Sequence, residues 1–340
     1  MYERIWSTCL GRLTAGRALS LCAALCTLGI SGPAGASTIT VFDPSGSETT
    51  IPSSINSKGA ITGEYFDGSH YHGFVRAADG TIAAFDPSGS LFTYSYGINS
   101  KGAITGDYYD ASGVYHGFVR ALDGTITAFD PAGSKNTHSY SINSKGSITG
   151  EYFDDSGVSH GYVRAVNGTI TAFDPSGSKD TYSLSINSGG AITGFFCYSA
   201  DVCHGFVRAA DGTITAFDPS GSTYTSPSGI NSSGVVAGQY YDGTSNHGFV
   251  RAAGGTITVF DPPGSMETEV LSIGEGGGIT GFYYDGTAYH GFLRRPAGAI
   301  ATFDVPGDVN GTYPNSIESG AITGDFADGN SVDHGFVRTP

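Results

Sequence analysis

The chain has 340 residues and a formal net charge of −15, with only 14% charged side chains but 53 glycines and 12% aromatic residues. So acidic a surface repels nucleic acid and anionic lipid, which are bound through basic contacts. Beyond residue 36 no stretch approaches the roughly 18 apolar residues that would span a membrane, so no span is expected.

Residues 1–36 have the pattern of a secretory signal peptide. Arg4, Arg12 and Arg17 form a basic start, residues 18–30 an apolar run, and Ala34, Gly35 and Ala36 a small-residue cleavage pattern. A lipoprotein signal fits less well, because Leu21 and Leu25 precede Cys22 and Cys26 where a small residue would be needed. Cleavage after Ala36 is expected, giving a secreted or periplasmic chain that begins at Ser37. It removes three Arg and one Glu and moves the formal charge from −15 to −17. Of five cysteines only Cys197 and Cys203 remain. They flank one short loop, and in an oxidising compartment they should form a disulfide.

From residue 38 onward one unit recurs. Phe-Asp-Pro, or Phe-Asp-Val, begins at Phe42, Phe85, Phe129, Phe173, Phe217, Phe260 and Phe303, in steps of 43 or 44 residues. That period suits a four-stranded propeller blade. In the second unit, residues 94–98, 103–109, 115–121 and 125–129 read as strands joined by Asn/Gly turns and polar loops. The Asp-Gly of Asp123 and Gly124 between two apolar runs is a hairpin signal. No helical periodicity appears after residue 36. The expectation is an all-β, seven-bladed propeller over 37–340, with repeats at about 44–86, 87–130, 131–174, 175–218, 219–261, 262–304 and 305–340 plus 37–43. The repeat region opens on TITVFDP at Thr38 and its last motif is HGFVR at His334, segments that are adjacent within every full repeat. Pairing residues 38–43 with the C-terminal strands would close the ring and hide two sheet edges.

Three polar positions recur in all seven units. Histidines stand at His72, His116, His160, His204, His247, His290 and His334, and arginines at Arg76, Arg120, Arg164, Arg208, Arg251, Arg294 and Arg338. Aspartates follow each Phe of the FDP motif. Such rings cannot converge on one metal ion. They read as structural: His in a hydrogen bond such as one to loop backbone, and Arg and Asp in ladder contacts within or between blades, with Asp-Pro also starting a turn.

Function should therefore lie where the repeats differ. After the Thr-Gly or Ala-Gly of each second strand stand Glu64, Asp107, Glu151, Phe195, Gln239, Phe282 and Asp325. Ring closure would make Asp325, Glu64, Asp107 and Glu151 one acidic arc. This arc either faces a common channel or pairs with the arginines. The Ile-Asn-Ser turn breaks at Glu275 and Glu318, which could flank a site or reflect drift. Aromatic pairs such as Tyr65–Phe66, Tyr108–Tyr109 and Tyr240–Tyr241 suit stacking on sugars or packing between blades.

No nucleophile elbow, zinc-protease helix, phosphate loop or EF-hand occurs. The unit INSKGAITGEYFD…HGFVR…GTITAFDPSGS resembles the bacterial extracellular HAF-type repeats, with His-Gly-Phe in place of His-Ala-Phe, over the whole of 37–340. The resemblance implies export and a repeat fold, and carries no catalytic residues. The period is also similar to that of the seven-bladed streptogramin lyases, but their catalytic His-Glu arrangement has no match here. The expected function is a monomeric binding or scaffold module for an extracellular glycan or protein. The alternatives are a polysaccharide lyase or hydrolase using channel carboxylates, and a purely structural surface protein. No cofactor is expected; a divalent cation at the acidic arc has no supporting motif.

Overall fold

A computed structural model describes residues 37–199 and 202–340; the expected signal segment, 1–36, lies outside the described residues. Each repeat supplies four strands, and no helix occurs among the described residues. None is therefore long and apolar enough to cross a membrane. The second repeat runs Ser90–Ile98, Ile104–Asp110, Tyr115–Arg120 and Ile126–Phe129. Its first strand starts earlier than the sequence suggests, because Phe92 and Thr93 pair with Tyr109 and Tyr108 across the hairpin.

Consecutive strands pair antiparallel into four-stranded sheets. Repeats four and five share one eight-stranded sheet through a single parallel bridge, Cys203 to Tyr224. The fourth strand of the last sheet comes from the start of the chain: Thr38–Phe42 pairs with Asp333–Thr339, Phe42 opposite Gly335.

The aromatic residue of each HGF or HGY motif forms the centre of its sheet, and all seven, from Phe74 to Phe336, are fully buried. The recurring polar residues join one sheet to the next, with partners different from those expected. Each arginine stacks on the Phe that ends the preceding repeat: Arg76 over Phe42 at 4.8 Å, Arg164 over Phe129 at 4.7 Å, Arg338 over Phe303 at 4.9 Å. Arg120, Arg208, Arg251 and Arg294 do the same. No Arg–Asp ion pair occurs among the described residues. The FDP aspartate is taken by His instead. A guanidinium over a ring contributes about 0.5–2 kcal/mol.

Each recurring histidine bonds a carboxylate, not loop backbone. Its Nδ1 meets the FDP aspartate at 2.7 Å for His72 and Asp86, 2.7 Å for His116 and Asp130, and 2.8 Å for His334 and Asp43. At three of these aspartates the other oxygen accepts the hydroxyl of a threonine in the next repeat: Thr93 to Asp86 at 2.6 Å, Thr225 to Asp218 at 2.6 Å and Thr268 to Asp261 at 2.7 Å. The turn asparagines make a parallel stitch. Asn56 Oδ1 accepts the N–H groups of Lys58 and Ala60, while its Nδ2 donates to Asn99 O at 2.9 Å. Asn99, Asn143 and Asn187 repeat the step to Asn143, Asn187 and Asn231.

Every first strand carries a β-bulge, between 52 and 54, 95 and 97, 139 and 141, 183 and 185, 227 and 229, 270 and 272, and 314 and 316. The extra residues are Ser53, Tyr96, Tyr140, Leu184, Ser228, Leu271 and Asn315. Opposite each bulge lies the second-strand glycine. A Cβ on Gly63 would collide with the carbonyl oxygen of Ile51, and one on Gly106 with that of Tyr94. The bulge brings the two backbones so close that no side chain fits, which is why this position reads Gly in every repeat. Gly106→Ala should therefore cost about 2–4 kcal/mol of stability, measured as the shift of a urea unfolding midpoint. Gly254→Ala, where the added methyl meets open space, should cost nothing measurable.

Candidate functional site

The seven bulged side chains converge on one cavity of about 200 Å³. A bulge re-aims the residue it inserts; here it turns one side chain per repeat out of the strand pairing and toward the axis shared by the first strands. Ser54, Ser141, Ser185, Ser272 and Ser316, each next to a bulge, bind scaffold instead. Ser54 Oγ accepts the N–H of Ile98 at 3.4 Å, and Ser316 Oγ that of Ile55 at 3.3 Å, tying the last repeat to the first.

Behind each bulged residue stands the second-strand residue that the sequence marks as variable, and the two layers match in polarity. Ser53 Oγ donates to Glu64 at 3.3 Å, Tyr140 Oη to Glu151 at 2.8 Å, and Asn315 Nδ2 to Asp325 at 2.8 Å. Ser228 lies against Gln239 at 3.2 Å. Leu184 and Leu271 line the cavity in the two repeats that carry Phe195 and Phe282. One sector is thus polar, backed by Asp325, Glu64, Asp107 and Glu151; the facing one is largely apolar.

These four carboxyl groups are 0–9% exposed. None contacts an arginine, so the expected Arg pairing is corrected here too. Asp107 pairs with His138, whose Nδ1 lies 2.9 Å from its Oδ2. Glu151 also accepts the Ser159 hydroxyl at 3.2 Å. An aromatic arc runs along the same sector: Tyr71 to Tyr94 at 5.6 Å, Tyr94 to Tyr115 at 6.4 Å, Tyr115 to His138 at 4.9 Å, and Tyr96 to Tyr140 at 5.7 Å.

Sequence reasoning found the inner carboxyl layer and missed the layer in front of it. The signal was present: a variable residue followed in every repeat by Ser or Gly, one strand before the variable acid. It also missed His138, which lies outside the histidine ring, and Glu269. The Glu269 carboxylate accepts Gln239 Nε2 and Asn246 Nδ2, both at 2.7 Å. Glu275 and Glu318 are adjacent, the Glu275 N–H reaching Glu318 Oε2 at 3.2 Å. They sit on the turns after the first strands, away from the carboxyl layer, and there take over the stitching done elsewhere by asparagine. The first members of the aromatic pairs pack on the recurring histidines, as Tyr65 on His72 at 5.2 Å. Cys197 and Cys203 face each other across their hairpin and are disulfide-bonded. Among the described residues no group of three or more His, Cys, Asp or Glu could hold a metal ion.

No family model matches the chain, and no curated protein matches it. Solved structures do. An inactive variant of virginiamycin B lyase from Staphylococcus aureus, crystallised with quinupristin, aligns over 90% of this chain and 100% of its own, with TM-score 0.60 and 14% identity. The β-propeller domain of the Trilobed protease from Pyrococcus furiosus aligns over 86% of this chain and 94% of its own, with TM-score 0.61 and 10% identity. TolB from Acinetobacter baumannii aligns over 72% of this chain and 63% of its own, with TM-score 0.52 and 14% identity. At such identities the likeness concerns fold alone: this is an all-β propeller of four-stranded sheets.

Burial sets the electrostatics of the site. It pushes Glu64 up to about 8, with Asp107 and Asp325 adding to the rise against the Ser53 hydrogen bond. It pushes Glu151 up to about 7 against the pull of His138, and Asp107 and Asp325 are raised by the same cause. In the outer ring, partial burial opposes the imidazolium of His72, His116, His160, His247 and His290, but their paired aspartates outweigh it and raise all five. Both sets bind protons more tightly in the folded chain than in the unfolded one. The stability they confer is complete below the unfolded values, about 4.5 for Glu and 6.5 for His, and is lost as pH rises through the folded ones. Aspartates with lowered values, such as Asp67 and Asp242, are ionised in both states above about pH 5 and add no slope there. The melting temperature should therefore fall steadily between about pH 5 and pH 8 by calorimetry, and Glu64→Gln should flatten that fall.

Proposed function

We propose that this chain is an exported, closed, seven-bladed propeller that binds an extracellular glycan in its axial cavity and does not turn it over. One observation carries this reading. The side chains that change from repeat to repeat meet in the cavity, whereas those that recur are used up in joining sheet to sheet. Seven bulged residues around one cavity and the pairing of Thr38–Phe42 with Asp333–Thr339 support the blade count and the closure. The leader pattern of residues 1–36, the disulfide and the likeness to HAF-type repeats support export.

The cavity suits a sugar chain. It offers hydroxyl and amide groups on one side, tyrosine rings beside them and aliphatic surface opposite, the mixture that a pyranose with its polar rim and apolar faces requires. Catalysis is the weaker alternative. A lyase or hydrolase needs carboxyl groups that touch the substrate, and Glu64, Asp107, Glu151 and Asp325 stand behind the wall formed by Ser53, Tyr96, Tyr140 and Asn315. Their role in this reading is to orient the wall.

A glycan array probed with the chain should find carbohydrate ligands, and Tyr96→Ala and Tyr140→Ala should each weaken the best of them by about 2 kcal/mol, or roughly thirtyfold. Absence of any glycan ligand, or binding indifferent to both substitutions, contradicts the reading. Release of shortened or unsaturated sugars would replace binding by catalysis.

A further inference from the structure

We infer that the end of the repeats carrying the turns between first and second strands docks on an anionic lipid surface, through Lys58, Lys101 and Lys145 with Leu122 and Val166 beside them. The inference is independent of the glycan reading.

Charge is divided between the two ends of the repeats. In each sheet the strands alternate in direction, so the turns joining first to second and third to fourth strands share one end. The asparagine stitch from Asn56 to Asn231 aligns these ends in successive repeats. Of the 16 Lys and Arg, three precede residue 37, and eleven of the other thirteen lie here: the seven recurring arginines, Arg295, and Lys58, Lys101 and Lys145. Five carboxylates accompany them, Asp79, Asp123, Asp211, Glu275 and Glu318. The loops and strand ends opposite hold nineteen carboxylates among the described residues, with only Lys135 and Lys179. The formal charge of −15 therefore describes neither end. Second strands of six or seven residues set the ends about 20 Å apart. That exceeds the screening length of about 8 Å in physiological salt, so a surface against the basic end is shielded from the acidic one.

Within the basic end, repeats one to three differ from the rest. Lys58, Lys101 and Lys145 are exposed on their first turns, where the next three repeats have Gly189, Ser233 and Gly276. None of the three ammonium groups forms a hydrogen bond or ion pair among the described residues. Lys135, at the other end, pairs with Asp155 at 2.7 Å. The recurring arginines are held over phenylalanine rings and contribute charge, whereas the lysines are free to reach. The adjoining third-to-fourth turns change in step. Their second residue is Ala in repeats one, four and five, but Leu122 and Val166 in repeats two and three. At 73% and 70% exposure these are the most exposed large hydrophobic side chains among the described residues. Each lies over the lysine turn of its own repeat: a Cβ on Gly102 would come within 2.9 Å of Leu122, and one on Gly146 within 3.4 Å of Val166.

This pairing of residue types selects the partner. A soluble polyanion would satisfy the lysines and leave Leu122 and Val166 in water. A bilayer with anionic head groups satisfies both, phosphates meeting the lysines and the two apolar side chains entering the acyl boundary. Neither signal suffices alone, and together they give reversible binding.

The test is flotation of the full chain, expressed from residue 1, with vesicles of phosphatidylcholine and phosphatidylglycerol in equal parts, against vesicles of phosphatidylcholine alone. Variants keep residues 1–36 unchanged, so differences from the parent report this face. Lys58→Ala, Lys101→Ala and Lys145→Ala should each weaken binding to the anionic vesicles about fivefold, and the triple variant about a hundredfold. Leu122→Ser with Val166→Ser should weaken it about tenfold. Lys135→Ala, at the acidic end, should change nothing. All the replaced side chains are exposed, so the variants should fold, as melting will verify; should the triple variant fail, the three single ones carry the test. No preference for the anionic vesicles, or a folded triple variant that floats like the parent, overturns the inference. Loss on replacing the lysines with none on replacing Leu122 and Val166 makes the occupant a soluble polyanion and overturns the bilayer. Salt-sensitive association without vesicles, abolished in the triple variant and unaccompanied by flotation, gives the basic end to the acidic end of a second copy and overturns it too.

Discussion

The structure depends on a close approach of two backbones. In every repeat the first strand bulges against the second, and only glycine can stand at the point of contact, because any Cβ there would enter a carbonyl oxygen. The same bulge takes one side chain out of the alternation of its strand and aims it at the axis. A steric requirement of the scaffold is thus also the device that presents the variable residue. Because glycine absorbs the whole constraint, the bulged position itself is free to be Ser, Tyr, Leu or Asn without disturbing the sheet.

Around that constraint the recurring chemistry is consumed locally. Histidine is bound by aspartate, aspartate by the next repeat's threonine, arginine by the previous repeat's phenylalanine, and asparagine by the next asparagine's carbonyl. Each bond is modest, but each recurs, and all but the His–Asp bond cross a boundary between sheets. A repeat array gains stability in this way from nearest-neighbour contacts. The carboxyl layer behaves differently. Its members are buried, lack cationic side chains other than His138, and hold their protons well above the usual carboxylate range. Such groups oppose folding at neutral pH, and Glu64, Glu151 and Asp325 each accept a hydrogen bond from the bulged residue in front of them.

Much of this architecture was legible in the sequence. The period, the turn glycines and the split of one hairpin between the two ends announce strands, repeats and the pairing of Thr38–Phe42 with the C-terminus, because hairpin chemistry is local and period counts it directly. The partners of the rings were not legible. Arg76 is equally able to pair with Asp86 or to stack on Phe42, and only the packing of one sheet on another decides between them. The bulge was hidden for a related reason. Bulges leave no residue type of their own on the inserted position, so Ser53 and Tyr96 read as ordinary strand residues. Only the glycine opposite, seen with the backbone in place, shows that they are not. His138 was overlooked because seven other histidines share a simpler explanation.

The most direct measurement is a crystal structure of the chain grown with the glycan that binds it best. The sugar should lie in the axial cavity, against the rings of Tyr96 and Tyr140 and within hydrogen-bond distance of Ser53 or Asn315. Sugar density on the outer strands or on the turns around Asn56 and Glu275, with the cavity unchanged, would contradict the assignment of ligand binding to the bulged residues.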